Sequence, residues 1–312
     1  MEAEIIVGTY EDYVVGYGLE SSSLDQLFAV RAHSGSVRSL ACNASGSLAF
    51  SAGFDEMTNL FNLSKRKLLQ TSEGAVNCAR FVKNNHLICG SEDSNIYIHE
   101  CRGPTSNLVK TLKGHKGPIT SIDVHPSGKI LLSVSKDNTM RTWNLIKGRC
   151  AYVTNIRLMA HIVKWSKSGE DFLLVVENEI YLYNNLGKLN KNIKLRKRIN
   201  AVEFVSDNII VVAIDSGTLE FFDIKSEECT PCKVLEAHET RVKAIKCLST
   251  TSETQTNNKK LQEPTLKLVT ASSDGVLKVW SLEVRENNVG ELKEQATAEL
   301  GARLTCMEAT IR

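Results

Sequence analysis

The chain has 312 residues, with 38 basic and 36 acidic side chains and a formal net charge of +2 at neutral pH. This balance is too small to predict nucleic-acid binding from charge alone. The nine cysteines are odd in number and lack paired spacing, so they argue against a disulfide framework and favour reduced thiols of the cytosol or nucleus. The acidic amino-terminal residues predict no secretion signal, and no run approaches eighteen apolar residues, so no membrane span is predicted.

The first predicted elements are three short strands that alternate apolar and polar residues: Glu4–Gly8, Tyr13–Tyr17 and Gln26–Val30. They leave an antiparallel sheet one strand short. Arg303–Met307, near the other end of the chain, has the pattern of the missing strand. We therefore predict one sheet that is built from both termini, which would close a ring and leave no free edge.

After these strands one register recurs along the chain. A small hydroxyl residue or Cys is followed four residues later by an acid, and the acid is followed six residues later by an aromatic residue or His. The interval between copies is near forty residues, with one longer gap, which is typical of the blades of a β-propeller. The copies are Ser51, Asp55 and Phe61; Cys89, Asp93 and His99; Ser133, Asp137 and Trp143; Glu177 and Tyr183; and Thr270, Asp274 and Trp280, with Phe222 filling the aromatic position of one more.

The third repeat shows the elements within a blade. Four short strands, Ile119–Val124, Lys129–Val134, Thr139–Leu145 and Gly148–Val153, are separated by turns rich in Gly, Asp and Asn. Seven such blades need roughly 280–300 residues. The prediction is thus an all-β, seven-bladed propeller that uses residues 1–312 as a single domain.

Two stretches interrupt the late repeats. Residues 250–264 are polar and almost free of apolar side chains, which predicts a disordered insertion between the first two strands of the sixth blade. Residues 283–299 are rich in charge and are predicted to be a charged connector.

Three repeats contain residue types that a hydrolase would use. Because the same set recurs at equivalent positions, we interpret it as a buried structural relay rather than a catalytic triad, which is normally built once. In that interpretation Asp accepts from His, His reaches the hydroxyl, and the hydroxyl meets the Trp N–H. The relay residues are His33, Ser51 and Asp55; His115, Ser133, Asp137 and Trp143; and His238, Thr270, Asp274 and Trp280.

Other chemical motifs are weak. Cys229 and Cys232 form a lone CxxC, for which a surface turn is favoured over a metal or redox site. The seven His are dispersed and Gly-rich phosphate loops are absent. The sequence predicts no catalytic residue, no metal site and no cofactor.

One basic run, residues 188–198, has six positive and no negative side chains. It lies between the third strand of blade four and the first strand of blade five. Such a patch could meet RNA phosphate or an acidic protein segment, although a solvated outer strand is the simpler alternative. Three further cations, Arg38, Lys136 and Arg241, lie beside the relay residues. Together with four from the run, the candidate partner-binding residues are Arg38, Lys136, Lys194, Arg196, Lys197, Arg198 and Arg241.

The motifs taken together resemble a known family. They include His115-Lys-Gly-Pro-Ile-Thr, Arg141-Thr-Trp-Asn, Ala237-His-Glu-Thr-Arg and Ala271-Ser-Ser-Asp-Gly, in that order. The chain resembles the WD40-repeat p21-activated kinase-interacting proteins from Gly8 to Cys306. That resemblance implies a nucleolar, non-enzymatic assembly factor for the 60S ribosomal subunit, as in the fungal members. In animal members it implies binding and restraint of a p21-activated kinase.

From this we expect a scaffold that binds pre-60S proteins or rRNA through its propeller faces, in the nucleus and nucleolus, and is monomeric outside its complex. The alternatives are an adaptor that inhibits a p21-activated kinase and, from another class, a hydrolase that uses one His–Ser–Asp set. Family members commonly continue into a long Lys-rich tail, whereas this sequence stops at Arg312, so targeting would depend on the domain alone.

Overall fold

The structure is a computed structural model that describes residues 1–102, 105–251, 264–285 and 288–311. These residues form seven four-stranded antiparallel sheets, the blades of a propeller. The chain opens with β1 (Ala3–Thr9), β2 (Tyr13–Glu20) and β3 (Ser23–Arg31). Blade one contains β4 (Val37–Cys42), β5 (Leu48–Gly53), β6 (Met57–Asn62) and β7 (Lys67–Glu73), and blade two contains β8 (Val76–Val82), β9 (His86–Ser91), β10 (Ile96–Arg102) and β11 (Thr105–Leu112).

Blade three contains β12 (Ile119–Val124), β13 (Ile130–Ser135), β14 (Thr139–Asn144) and β15 (Arg149–Asn155), and blade four contains β16 (Ile162–Trp165), β17 (Asp171–Val176), β18 (Glu179–Asn184) and β19 (Leu189–Lys194). Blade five contains β20 (Ile199–Phe204), β21 (Ile209–Ile214), β22 (Thr218–Asp223) and β23 (Lys233–Glu236). Blade six contains β24 (Val242–Thr251), β25 (Pro264–Ser272), β26 (Val276–Arg285) and β27 (Asn288–Glu299), and the last strand is β28 (Leu304–Ile311).

The two ends of the chain share blade seven. In this sheet β28 pairs with β1 in antiparallel register from Ala3 opposite Ile311 to Gly8 opposite Cys306. The first strand of every blade contacts the first strand of the next, and β28 contacts both β24 and β4. The predicted seven-bladed ring, closed by the two terminal strands, is therefore confirmed.

The hydrophobic core lies between the blades. Because side chains alternate along a strand, each sheet buries both faces only when a neighbour covers each of them. One cluster joins Ile88 of blade two to Ile119 and Trp143 of blade three, and another joins Phe221 of blade five to Trp280 of blade six. The protein therefore has several small hydrophobic cores, each between two neighbouring blades.

Blade six differs from what the sequence suggested. The stretch expected as a charged connector, 283–299, contains the end of β26 and all of β27. These strands pair as a long hairpin, with Val284 opposite Val289, and Val289 and Ala296 are buried. The charged residues that suggested a connector belong to an outer strand, and their side chains lie on its solvent side.

The predicted insertion, residues 250–264, lies between β24 and β25. These two strands are paired as far as Thr251 and Pro264, and the residues between them lie outside the described ones.

Charged side chains alternate around the central channel. Each of the seven innermost strands has an equivalent position, which lies opposite the residue that precedes the hydroxyl position of the second strand. Around the ring these positions are Arg80, Asp123, Lys164, Glu203, Lys246, Glu308 and Ala41. Since seven positions cannot alternate completely, the neutral Ala41 separates the two ends of the series.

Neighbours in this charge ring form ion pairs. The Nζ atoms of Lys164 and Lys246 each lie 2.5 Å from a carboxylate oxygen, of Glu203 and Glu308 respectively. Arg80 Nη1 lies 3.7 Å from Glu308 Oε2, which spans the Ala41 position. Burial by itself would raise the pKa of Glu308, but Lys246 and Arg80 lower it overall. Three cations and three anions thus leave the ring without net charge.

All nine cysteines fall within the described residues, and none of them forms a disulfide bond. Within the described ranges no helix is long and apolar enough to cross a membrane.

Candidate functional site

One face of the ring carries most of the candidate residues. In an antiparallel blade the connection into the first strand and the turn between the second and third strands lie at the same end of the sheet. The His of each relay occupies the first of these segments and the Asp occupies the second. We call this end of the molecule the His-loop face.

The relay is complete in blade three. His115 Nδ1 lies 2.9 Å from Asp137 Oδ2, and His115 Nε2 lies 2.7 Å from Ser133 Oγ. Trp143 Nε1 donates to the same hydroxyl oxygen at 2.8 Å. Since the indole can only donate, the hydroxyl proton goes to Nε2, and Nδ1 carries the imidazole proton toward the carboxylate.

Burial and hydrogen bonding fix the charges of this relay. Burial is the largest effect on Asp137 and would raise its pKa, yet the bonds from the Lys116 backbone, Thr139 and His115 together lower it well below its usual range. Burial also lowers the pKa of His115, an effect that Asp137 offsets only in part. At neutral pH the relay therefore holds an ionised acid and a neutral imidazole.

Blade one has the same relay without an indole. His33 Nδ1 lies 3.1 Å from Asp55 Oδ1 and its Nε2 lies 2.8 Å from Ser51 Oγ, while Phe61 fills the aromatic position. Gly53 is required here, because a Cβ at that position would meet Asp55 Oδ1 at 2.4 Å. The hydrogen bonds of His33 to Asp55 and Ser51 thus form without a Trp N–H donor to the Ser51 hydroxyl.

Blade six keeps two of the three links. Trp280 Nε1 donates to Thr270 Oγ1 at 3.0 Å, and His238 Nε2 lies 2.8 Å from the same atom. Asp274 accepts from the Val276 backbone at 3.1 Å, as the relay acids of blades one and three do at the same position, but among the described residues no direct hydrogen bond joins it to His238. With that link missing, burial lowers the pKa of His238 to about 4.

These sets do not have the geometry of a hydrolase. Ser133 is fully buried, and its hydroxyl is bonded to both the imidazole and the indole. A nucleophile must instead reach a substrate carbonyl. Among the described residues there is also no cluster of three His, Cys, Asp or Glu side chains that could hold a metal ion.

Acidification is expected to destabilise the protein well before its carboxylates titrate. Burial lowers the pKa of four His side chains below 6.5, so the unfolded chain binds protons that the folded chain rejects. Their contribution is complete above about pH 6.5 and is lost as the pH falls toward the folded values, by up to about 1.4 kcal/mol per pH unit for each group. The four are His99, His115, His161 and His238.

Thermal melts between about pH 7.5 and pH 4.5 test this expectation. Tm should fall steadily below about pH 6.5, and H238Q should flatten the slope because it removes one titrating group. A Tm that does not change across this range would contradict the assignment of neutral buried imidazoles.

Two of the candidate partner-binding cations are held by blade two. The Arg38 guanidinium lies 3.8 Å from the centre of the Phe54 ring and 3.7 Å from Glu92. Lys136 lies 3.4 Å from the same carboxylate. Phe54 and Tyr10, which sequence reasoning missed, are both 61% exposed on this face. In this sector two cations therefore share one carboxylate, and the surface beside them is aromatic.

The basic run is divided by the fold. Lys191 donates to the backbone carbonyls of Asp223, Ser226 and Glu228, so it supports a loop of blade five. Lys194 lies 2.8 Å from Glu179 on the neighbouring strand. Only the segment 195–198, which leads into β20, turns onto the His-loop face with Arg196, Lys197 and Arg198 exposed.

Arg198 and Arg241 converge on a third cation. Burial, followed by the positive charge of Arg241 and that of Arg198, lowers the pKa of Lys243, while Asp215 opposes this shift. Arg198, Arg241 and Lys243 are named here the cation cluster. Lys243 was missed because it occupies a β-bulge, where the apolar alternation of β24 is interrupted.

The CxxC segment is not organised as a site. Cys229 Sγ donates to the Asn192 carbonyl and Cys232 Sγ donates to the Phe221 carbonyl, and both residues are exposed. The two thiols therefore contact β19, the outer strand of blade four, and β22, the third strand of blade five.

The fold and these relays define a WD40-repeat propeller. The model of the WD domain, G-beta repeat family matches residues 24–62, 64–100, 106–144 and 229–281, which is more than half of the chain. Proteins of this class present protein-binding surfaces on a rigid ring.

Individual relatives show which family of WD40-repeat proteins the chain resembles. The chain is 33% identical to "p21-activated protein kinase-interacting protein 1-like" of Gallus gallus, over 97% of this chain and 79% of the relative. It is 28% identical to "Shk1 kinase-binding protein 15" of Schizosaccharomyces pombe, over 98% and 84% respectively, and 26% identical to "Protein MAK11" of Saccharomyces cerevisiae, over 97% and 82%. The chain belongs to the family of p21-activated protein kinase-interacting proteins.

Proposed function

We propose that this protein is a non-enzymatic platform for assembly of the large ribosomal subunit, acting in the nucleus and nucleolus. The observation that carries the proposal is the cation cluster. Arg198, Arg241 and Lys243 come from two loops and one strand, yet they meet on the same face of a closed ring. The family resemblance of the sequence supports the ribosomal setting, since it implies this role for the fungal members.

An anionic partner fits the cluster because the positive charges of Arg241 and Arg198 both act on Lys243, against the negative charge of Asp215. Asp215 is itself engaged by the Asn200 side-chain amide at 3.1 Å. The exposed Arg196 and Lys197 extend the positive surface along the loop. Either rRNA phosphate or an acidic protein segment would gain charge-assisted hydrogen bonds there, and guanidinium groups suit both.

The triple charge reversal R196E/K197E/R198E, combined with R241E, is expected to weaken association with pre-60S particles several-fold, because each lost cation removes a favourable contact with an anion. Sedimentation of the tagged protein with particles from nuclear extract, at about 0.1 M salt, measures the loss. All four residues are exposed, so Tm should be nearly unchanged.

The matched control is K65E/K67E. These exposed lysines flank the turn between β6 and β7, at the opposite end of the blade. This variant should sediment as the unaltered protein does. A cation-cluster variant that also sediments normally would reject the role of the cluster, and an unaltered protein that never enters pre-60S fractions would reject the ribosomal function.

A second candidate is an adaptor that binds a p21-activated kinase. It is favoured by the printed names of the relatives, which call them kinase-interacting or kinase-binding proteins. Direct binding of the purified chain to the kinase regulatory segment distinguishes it from the first candidate. Saturable binding together with inhibition of the kinase, and no pre-60S association, would favour the adaptor.

A further inference from the structure

A cleft of about 400 Å³ separates blades one and two. That volume falls in the range of pockets that bind small ligands or peptide side chains. Its walls are mainly apolar and include Phe50, Leu60, Leu87 and Leu108. No residue of the cation cluster lies there, so this site is separate from the surface discussed above.

The cleft arises where the repeat is most degraded. Two residues, Gly74 and Ala75, join β7 to β8, whereas six residues, 113–118, join β11 to β12 and carry His115. Blade two also has Cys89 and His99 where blade three has Ser133 and Trp143. A short connection without a His, and an imidazole in place of an indole, leave the space open.

The charged side chains that line the cleft are all acidic. Glu73 and Asp93 line it, and its described lining residues include no Lys or Arg. Burial would raise the pKa of Asp93, but hydrogen bonds from the Tyr97 hydroxyl and Asn95 lower it overall. The pKa of His99 is lowered by burial, so this imidazole is neutral at pH 7. The cleft therefore carries two carboxylates and no compensating cation.

A guanidinium on an aliphatic stem matches this chemistry. The stem can pack on leucine walls while the head stays near the carboxylates, and the planar group can stack on the Tyr97 or His99 ring. An acidic group would be repelled by Glu73 and Asp93, and a purely apolar group would desolvate them without supplying a compensating positive charge.

We propose that this interblade cleft is a docking pocket for a partner protein, and that it receives an arginine side chain from a basic, apolar-flanked segment. The inference does not depend on the ribosomal proposal, because the pocket and the cation cluster lie on different blades. One can fail while the other stands.

The probe is a capped tetrapeptide, acetyl-Gly-Arg-Leu-Gly-amide, titrated into the isotopically methyl-labelled full chain. We expect saturable shifts confined to the methyl groups of Leu60, Leu87 and Leu108. The same peptide with citrulline, a neutral isostere of arginine, should bind at least about tenfold more weakly, since each tenfold step corresponds to one lost charge-assisted contact. Equal binding of the two peptides, or no shift with either, would overturn the proposal.

Two variants locate the binding. C89S/H99W restores the Ser–Trp pair of blade three and should fill the cleft, abolishing the shifts while Tm holds or rises. E73Q removes one exposed carboxylate and should weaken binding several-fold without any folding effect, and its matched control is E239Q, an exposed acid away from the cleft. Unchanged binding by E73Q, or by a folded C89S/H99W protein, would reject the site.

Discussion

Deletion of residues 300–312 is expected to abolish the cooperative unfolding transition and to leave an aggregation-prone chain. The deletion removes β28, which pairs with β1 along its length and lies between β24 and β4. Every residue of β1 is buried, so its edge and the facing core would be exposed to water. An unpaired, apolar inner edge is a template for pairing with other chains.

Thermal melts and size-exclusion chromatography measure this effect, and peptide complementation provides the control. A synthetic peptide of residues 303–312 should restore a monomeric peak and a sharp melt when added during refolding, whereas a scrambled peptide should not. A truncated chain that melts as sharply as the full chain would show that closure by β28 is dispensable.

Replacement of Trp143 by Ala is expected to have the next largest effect, a loss of about 3–5 kcal/mol in the free energy of unfolding. The indole is 1% exposed and packs between blades two and three. Its loss creates a cavity and removes the donor to Ser133 Oγ. Because a whole domain is stable by only about 5–15 kcal/mol, much of the margin would disappear.

Urea unfolding of W143A and W143F separates the two causes. The Phe variant keeps most of the packing and lacks the N–H donor. It reproduces blade one, where Phe61 occupies the aromatic position and the Ser51 hydroxyl has no indole donor. We expect it to lose only about 1–2 kcal/mol. A W143A protein within about 1 kcal/mol of the unaltered chain would contradict the tight packing of this position.

The fold was predictable because the register repeats. A hydroxyl, an acid and an aromatic at fixed spacing mark the second strand, the following turn and the third strand of a blade, and the incomplete first sheet points to a shared blade. The outer strand β27 was not predictable in this way. Register shifts on its partner at Val279/Trp280 and Leu282/Val284 break the apolar alternation, so its charges suggested a connector.

The candidate site was only partly accessible from sequence. Arg198 and Arg241 were found because they lie near basic or relay motifs, but Lys243 and the interblade cleft depend on tertiary geometry. A two-residue connection at Gly74 and Ala75 looks like an ordinary turn, and nothing local shows that it fails to cover His99. Similarly, the relay pattern of blade six does not reveal that, among the described residues, no direct hydrogen bond joins His238 to Asp274.

The charge ring of the central channel bears on synthesis of the chain at the ribosome. Its third anion, Glu308, emerges last, after Arg80 and Lys246 have already been made. Until then the inner wall holds three cations and two anions, and an unmatched buried charge is costly. Closure of the ring and pairing of its buried charges therefore depend on the same strand, β28, because Glu308 is the carboxylate that both Arg80 and Lys246 contact.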